Sequence, residues 1–135
     1  MSDVILKDES YAIVGACFEV YNDLGPGFLE AVYHEALEYE LSDRGIPFIS
    51  KPKLIVRFKQ RLLTTPYEAD FLCFNQIVVE LKAVVETVRK HEAQLIHYLK
   101  ATNQPLGMLV NFGSYPDLYY KRFVRTGLAS QITST

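Results

Sequence analysis

Between Ser10 and Leu24 the apolar side chains Ile13, Cys17, Val20, Tyr21 and Leu24 recur at helical spacing, which predicts an amphipathic helix. Gly25-Pro26-Gly27 stops it: Pro26 cannot continue the hydrogen-bond ladder, and the glycines permit a sharp turn. A second helix is predicted from about Leu29 to Arg44, with Leu29, Val32, Tyr33, Ala36, Leu37 and Leu41 as its apolar stripe. Gly45 stands where a C-terminal cap is expected, and Pro47 confirms the break. The period then changes to two. Leu54, Val56 and Phe58 alternate with Lys53, Ile55, Arg57 and Lys59, as in a strand with one apolar face, and Arg61 to Leu63 starts a hairpin partner. Glu68 to Cys73 and Ile77 to Leu81 read as two more strands around a turn at Phe74-Asn75-Gln76. Arg89 to Thr102 predicts a third helix, with Ala93, Ile96, Leu99 and the stem of Lys100 on or near one side. Leu106 to Phe112 is nearly continuously apolar, as in a central strand covered on both faces, and Tyr119 to Val124 reads as a last strand. The order α-α-β-β-β-α-β-β implies an α/β (α+β) domain: a mixed central β-sheet flanked by helices.

Composition narrows the class. A chain of 135 residues, 49% apolar, suits a single domain over residues 1–135, with flexible ends at 1–9 and 128–135. No apolar run is long enough to cross a bilayer, and no signal-peptide pattern opens the chain. Cys17 and Cys73 fit neither a metal knuckle nor a disulfide framework, so they read as buried free thiols in a reducing, cytoplasmic setting. A net charge of −2 argues against bulk electrostatic binding of DNA, so any nucleic-acid contact must come from a local basic surface. Lys51, Lys53, Arg57, Lys59 and Arg61 all occupy odd positions, which an extended chain would display on one face. Such cations discourage edge-to-edge aggregation of strands; beside a cleft they would also supply phosphate contacts. Arg89 and Lys90, opening the third helix, are a second candidate phosphate contact.

Asp70, Glu80 and Lys82 carry the candidate chemistry. Glu80 and Lys82 are two apart on one strand, so they share a face. A turn at Phe74-Asn75-Gln76 places Asp70 directly across from Glu80, where facing Cβ atoms are roughly 4.5–5.5 Å apart and like charges repel. A divalent cation removes that repulsion and gains the hard oxygen ligands that Mg²⁺ prefers. Lys82 would then position the attacking water or stabilise charge developing on phosphate. The alternative is a salt bridge on a solvated strand face. The setting speaks against it, because Glu80 and Lys82 end an Ile77-Val78-Val79-Glu80-Leu81-Lys82 run in which charges sit among strongly apolar neighbours.

Four further motifs make a resemblance specific: Gly27-Phe28-Leu29-Glu30-Ala31-Val32-Tyr33, Ala69-Asp70, Val79-Glu80-Leu81-Lys82-Ala83, and His91-Glu92-Ala93-Gln94 leading into Tyr98-Leu99. With these in order from about Tyr11 to Val124, the chain resembles the GxxExxY family of the PD-(D/E)XK nuclease superfamily. The resemblance implies a restriction-endonuclease-like core and a metal-dependent nuclease that hydrolyses phosphodiester bonds in DNA or RNA with Mg²⁺ or Mn²⁺. It makes Asp70 the metal-binding aspartate, Glu80 the second acid, Lys82 the lysine and the Leu81 carbonyl a backbone metal ligand. It further matches Gln94 and Tyr98 to a glutamine-x-x-x-tyrosine signature, and Glu30 to a helical acid that reaches the metal.

The residues alone say less about these last positions. Glu30 and Tyr33 share a helix face, as do Gln94 and Tyr98. A Glu early in a helix also suits the macrodipole, and both tyrosines could be ordinary core aromatics. Gln94 and Tyr98 would hydrogen-bond a phosphate or the metal's surroundings. His91, one turn before Gln94, could contact a phosphate or shuttle a proton. His34 and His97 have no zinc-site spacing and read as exposed or capping residues. Two rivals stand beside the nuclease: a catalytically silent nuclease-fold module that binds nucleic acid or a protein partner, and a partner-binding domain with a structural salt bridge. One domain of this size offers little surface to grip a duplex, which favours a homodimer, although no residue demonstrates one.

Overall fold

The structure, a computed structural model, describes residues 5–85 and 88–125. Helix α1 spans Lys7–Leu24, and Asp8 and Glu9 in its first turn oppose the positive end of the helix dipole. It therefore begins within the stretch expected to be flexible; 128–135 lies outside the described residues. Ile13, Ala16, Cys17, Val20 and Tyr21 form its buried stripe. Helix α2 spans Glu30–Asp43 and buries Tyr33, His34, Leu37 and Leu41. Leu29 leaves the predicted stripe because it caps the helix in an extended conformation, which turns its side chain outward to 78% exposure; Val32 is also exposed. Gly45, at φ 70°, takes the left-handed turn after the helix that was expected of it.

The sheet departs from the predicted strands in instructive ways. Strand β1 (Phe48–Ser50) was not expected, being too short to show a period. The alternating run after Pro52 is two fragments, β2 (Lys53–Leu54) and β3 (Arg57–Phe58), and β3 pairs with β4 (Arg61–Leu62) in a small hairpin. The stretch from Glu68 to Cys73 is also divided, into β5 (Tyr67–Glu68), which pairs with β2, and β6 (Phe71–Cys73). Strand β7 (Ile77–Lys82) follows the anticipated three-residue turn, in which Phe74 and Asn75 take positive φ. Helix α3 (Arg89–Thr102) connects it to β8 (Leu106–Asn111), and β9 (Tyr119–Val124) is the last strand among the described residues. The five-stranded sheet runs β1-β6-β7-β8-β9, antiparallel except for the parallel β7–β8 pair that α3 bridges.

Alternation along β7 divides the core. Ile77, Val79 and Leu81 join the cluster under α1 and α2, while Val78 joins Leu95 and Leu99 of α3 on the other face. Leu95, Leu99 and Thr102 recur at i, i+4 and i+7 as the buried stripe of α3; Ala93, read as part of it, lies outside and is exposed. All six residues of β8 are buried, as its apolar run required. Cys17 and Cys73 are buried free thiols, and burial pushes the Cys73 thiol up to about 12. No helix among the described residues is long and apolar enough to cross a membrane.

Candidate metal centre

The break between β5 and β6 makes the site. Asp70 lies one residue beyond the Phe71↔Val79 pair, so it faces Glu80 as the turn predicted. At this point side chains replace the strand ladder. The Asp70 carboxylate accepts the Leu81 N–H through Oδ2 at 2.8 Å, and the Asp70 N–H donates to Glu80 Oε1 at 3.1 Å. The Asp70 carbonyl accepts the Lys51 N–H at 2.8 Å. The two carboxylates are thus interlocked through backbone N–H groups, Glu80 holding that of Asp70 and Asp70 that of Leu81, the residue after Glu80. Burial pushes the Glu80 carboxyl up to about 8, and a hydrogen bond shared with the Asp70 carboxyl adds to the effect. In a strand the N–H and C=O of one residue project to the same side, so the Leu81 carbonyl points towards Asp70 with its N–H.

Two residues that sequence reasoning did not select complete this shell. Tyr67 donates its hydroxyl to Glu80 Oε2 and stacks on Tyr98 with ring centroids 3.8 Å apart. Burial first and the Glu80 charge second push the Tyr67 hydroxyl far above the ordinary tyrosine value, so it stays a donor. Tyr98 therefore supports Glu80 through Tyr67. His34 is the second: it is buried, not exposed, with Nδ1 3.3 Å from Asp70 Oδ1 and Nε2 2.9 Å from Ser50 Oγ. Ser50 Oγ in turn donates to Glu38 Oε2 at 2.5 Å. The signal was available in the Glu30-x-x-x-His34 spacing, which aligns both on one helix face.

The other candidates fall into two groups. Glu30 opens α2, and burial raises its carboxyl, with Asp70 acting in the same direction and Lys82 and His34 against it. Lys82, half-buried at the end of β7, shares the face of Glu80. His91, in the first turn of α3, is held below the ordinary histidine value by burial and then by Lys82 and Lys90. These residues converge on one end of the sheet. Tyr33 does not join them: it is fully buried, stacks on Phe112, and its hydroxyl donates to the Gly25 carbonyl at 2.5 Å and accepts the Phe28 N–H at 3.1 Å. It ties down the glycine turn and thereby sets where Glu30 begins its helix. Gln94 is exposed and lines a depression of about 440 Å³ on α3 with Lys90, His97 and Tyr98; His97 is exposed as expected.

The predicted single basic face is also corrected. Lys51 has φ 53° and Lys59 φ 56°, left-handed turns that break the alternation. Lys51 turns into a cleft of about 930 Å³ with Glu30, His34, Glu35, Glu38 and Asp70, so this cleft is acidic. The register Arg57↔Leu62 and Phe58↔Arg61 puts Arg57 and Arg61 on opposite faces of the hairpin. On the far side of Lys82, the Asn111 side chain accepts the Val84 N–H at 3.0 Å and donates to the Val84 carbonyl at 2.9 Å.

The donor set suits a hard cation. Asp70, Glu80 and the Leu81 carbonyl are oxygen donors, and burial beside Asp70 holds the Glu80 carboxyl above its ordinary value when no cation compensates the pair. Among the described residues no group of three or more His, Cys, Asp and Glu side chains forms a ready cage. Two carboxylates with room for waters is the pattern by which Mg²⁺ is held.

Comparison with known proteins bears on the superfamily and the fold. A family model described as the PD-(D/E)XK nuclease superfamily matches residues 7–123. The chain belongs to that superfamily. Among solved structures, SSO0001 shares the fold at a TM-score of 0.56 and 18% identity, over 76% of this chain and 54% of its own. An alkaline exonuclease from Laribacter hongkongensis aligns over 72% of this chain and 57% of its own, with 10% identity and a TM-score of 0.39. The chain thus spans a little over half the length of either structure. No curated protein matches its sequence. In this PD-(D/E)XK chain Asp70 stands at the strand break, and Glu80 and Lys82 stand on β7.

Proposed function

We propose that the chain is a nuclease of the GxxExxY family that hydrolyses phosphodiester bonds of DNA or RNA with Mg²⁺ or Mn²⁺, and that it works in the cytoplasm. The observation that carries this reading is the Asp70–Glu80 pair, two facing carboxylates locked together at a strand break and beside Lys82. Asp70, Glu80 and the Leu81 carbonyl would hold the ion, with Glu30 reaching in from α2. The bound ion supplies polarisation of a phosphate oxygen and a water of lowered pKa. Lys82 offers ammonium donors to the charge that develops at phosphorus, and the low-dielectric strand end strengthens that interaction. Tyr67 and His34 hold the two carboxylates in place from opposite sides. His91 and Gln94, on the exposed side of α3, would meet the substrate. The two buried thiols suit a reducing compartment.

The test is cleavage of mixed DNA and RNA substrates in Mg²⁺ and Mn²⁺, with Lys82→Ala beside the wild type and metal titration calorimetry on Asp70→Ala. Metal-dependent cutting lost in Lys82→Ala, with metal affinity lost in Asp70→Ala, supports the nuclease. Unchanged metal affinity in Asp70→Ala refutes the assignment of the centre. Metal binding without cutting of any substrate would favour the catalytically silent module.

A further inference from the structure

The β3–β4 hairpin stands apart from the five-stranded sheet and, among the described residues, has no strand partner beyond itself. Two-residue strands joined by a two-residue turn have little stability of their own. Yet this element exposes Phe58 at 55%, together with Ile55, Leu62 and Leu63. Interleaved with them are Arg57, Lys59 and Arg61, all exposed. The eleven residues Lys51 to Arg61 hold five of the chain's fourteen Lys and Arg and no Asp or Glu, which leaves the rest with nine cations against sixteen acids. Cations that merely guard an edge account for the charge but not for the apolar side chains between them. An apolar patch ringed by cations on an otherwise acidic protein marks a surface for an anionic partner.

The hairpin also faces the right way. Val56 pairs with Leu63 beyond the Arg57↔Leu62 pair, so Val56, Phe58, Arg61 and Leu63 share one face. Val56 packs into the core beneath α3, and β3 lies against α3. The Phe58–Arg61 face therefore turns towards the helix that carries Lys90, His91 and Gln94. The opposite approach to the carboxylates is the acidic cleft of Glu30, Glu35 and Glu38, which repels a polyanion. A second copy of the chain is a poor occupant, because a two-fold contact would set these cations against each other.

We propose that the β3–β4 hairpin is a nucleic-acid-engaging finger, in which Lys59 and Arg61 hold backbone phosphates and the Phe58 ring stacks on an unpaired base. This rests on the nucleic-acid reading above and narrows it: the substrate is a single strand or a frayed duplex end, because only an unpaired base offers its face to Phe58. The Lys59 ammonium already sits 5.4 Å from the Phe58 ring centre, which leaves the other ring face for a base.

Binding is measured by fluorescence anisotropy, without metal and in EDTA, on a labelled 20-nucleotide oligothymidine and on a duplex of similar length closed by loops at both ends. The wild type is compared with Phe58→Ala, Phe58→Tyr and the double variant Lys59→Ala/Arg61→Ala, and melting curves check that each is folded. The expected result is preference for oligothymidine, an affinity loss of about 5- to 150-fold in Phe58→Ala, and near-wild-type affinity in Phe58→Tyr. The double variant should lower the slope of log affinity against log salt by about 1.4. Equal affinity of Phe58→Ala and wild type overturns the finger, as does equal binding of the closed duplex. Failure of both probes to bind also overturns it, and would mark the hairpin as a protein-docking surface. Cleavage assays on the same proteins separate the two readings. A wild type that binds through Phe58 but cuts nothing in Mg²⁺ or Mn²⁺ keeps the finger and loses the nuclease. One that cuts regardless of Phe58 keeps the nuclease and loses the finger.

Discussion

The upward shift of the Glu80 carboxyl has a thermodynamic consequence that Glu80→Gln isolates. In the metal-free protein this carboxyl titrates at about 8, against 4.5 for an unperturbed glutamate. The folded state therefore keeps a proton that the unfolded chain has already released. For a group whose folded pKa is raised, the stabilisation is complete below the unfolded value and is lost as pH rises through the folded one. Each pH unit inside this window removes about 1.4 kcal/mol of stability, so from pH 6 to pH 8 the metal-free protein should lose about 2 kcal/mol. For a domain of this size that is a fall in Tm of about 5–10 °C. Gln is a neutral stand-in for the protonated acid, and its stability should lack this component of the pH dependence. A cation changes the sign for the wild type, because it replaces the proton: Mg²⁺ at 100 times its dissociation constant should add about 2.7 kcal/mol, with a larger effect at pH 8 than at pH 6. Glu80→Gln should gain little from the ion at either pH. Differential scanning fluorimetry in EDTA and in Mg²⁺ reads all of these quantities. Parallel Tm–pH curves for wild type and variant in EDTA would refute the claim that Glu80 holds the proton.

Three further outcomes test the supporting structure. His34→Ala removes the partner of both Asp70 Oδ1 and Ser50 Oγ and the ring stacked on Phe71, so it should cost about 2–4 kcal/mol in urea unfolding and weaken Mg²⁺ binding. His34→Asn should recover part of the metal affinity. Tyr33→Phe keeps the ring and removes only the hydroxyl held by Gly25 and Phe28, so a loss of about 1–3 kcal/mol is expected, again by urea unfolding. A Cβ at Gly113 would lie 2.5 Å from both the backbone N and O of Val84, so Gly113→Ala should lower Tm by about 10 °C or more and disturb the strand end that carries Lys82.

What the sequence reveals is governed by how far each interaction reaches. The bounds of α3 and β9 agree with those read from the sequence, and the turn at Phe74–Gln76 set the Asp70–Glu80 register because a hairpin is local. Val78 and Glu80 point to one face for the same reason. The split at Asp70 was invisible: a side chain that takes over a backbone ladder position leaves no mark on the hydrophobic pattern. His34 was misread as exposed because Ser50 and Asp70 lie 16 and 36 residues away, and no periodicity links them. Tyr67 is 13 residues from Glu80 and was hidden likewise. The basic face failed at Lys51 and Lys59, where left-handed turns in residues without a glycine signal ended the alternation.

The Asn111 amide has a mechanical meaning. A strand alternates strictly, so a slide of β7 by a single residue would carry Glu80 and Lys82 into the packing beneath α1 and α2, and present Leu81 to the substrate side. Hydrophobic fit alone defends poorly against such an error, because Ile77, Val78 and Val79 are near equivalents in volume and polarity. Asn111 grips both hydrogen-bonding groups of Val84, two residues past the lysine, and Lys82 is its partner in the β7–β8 register. It works like the stop on a ruler: the strand can be seated in one position, and in that position the acid and the lysine face the same way.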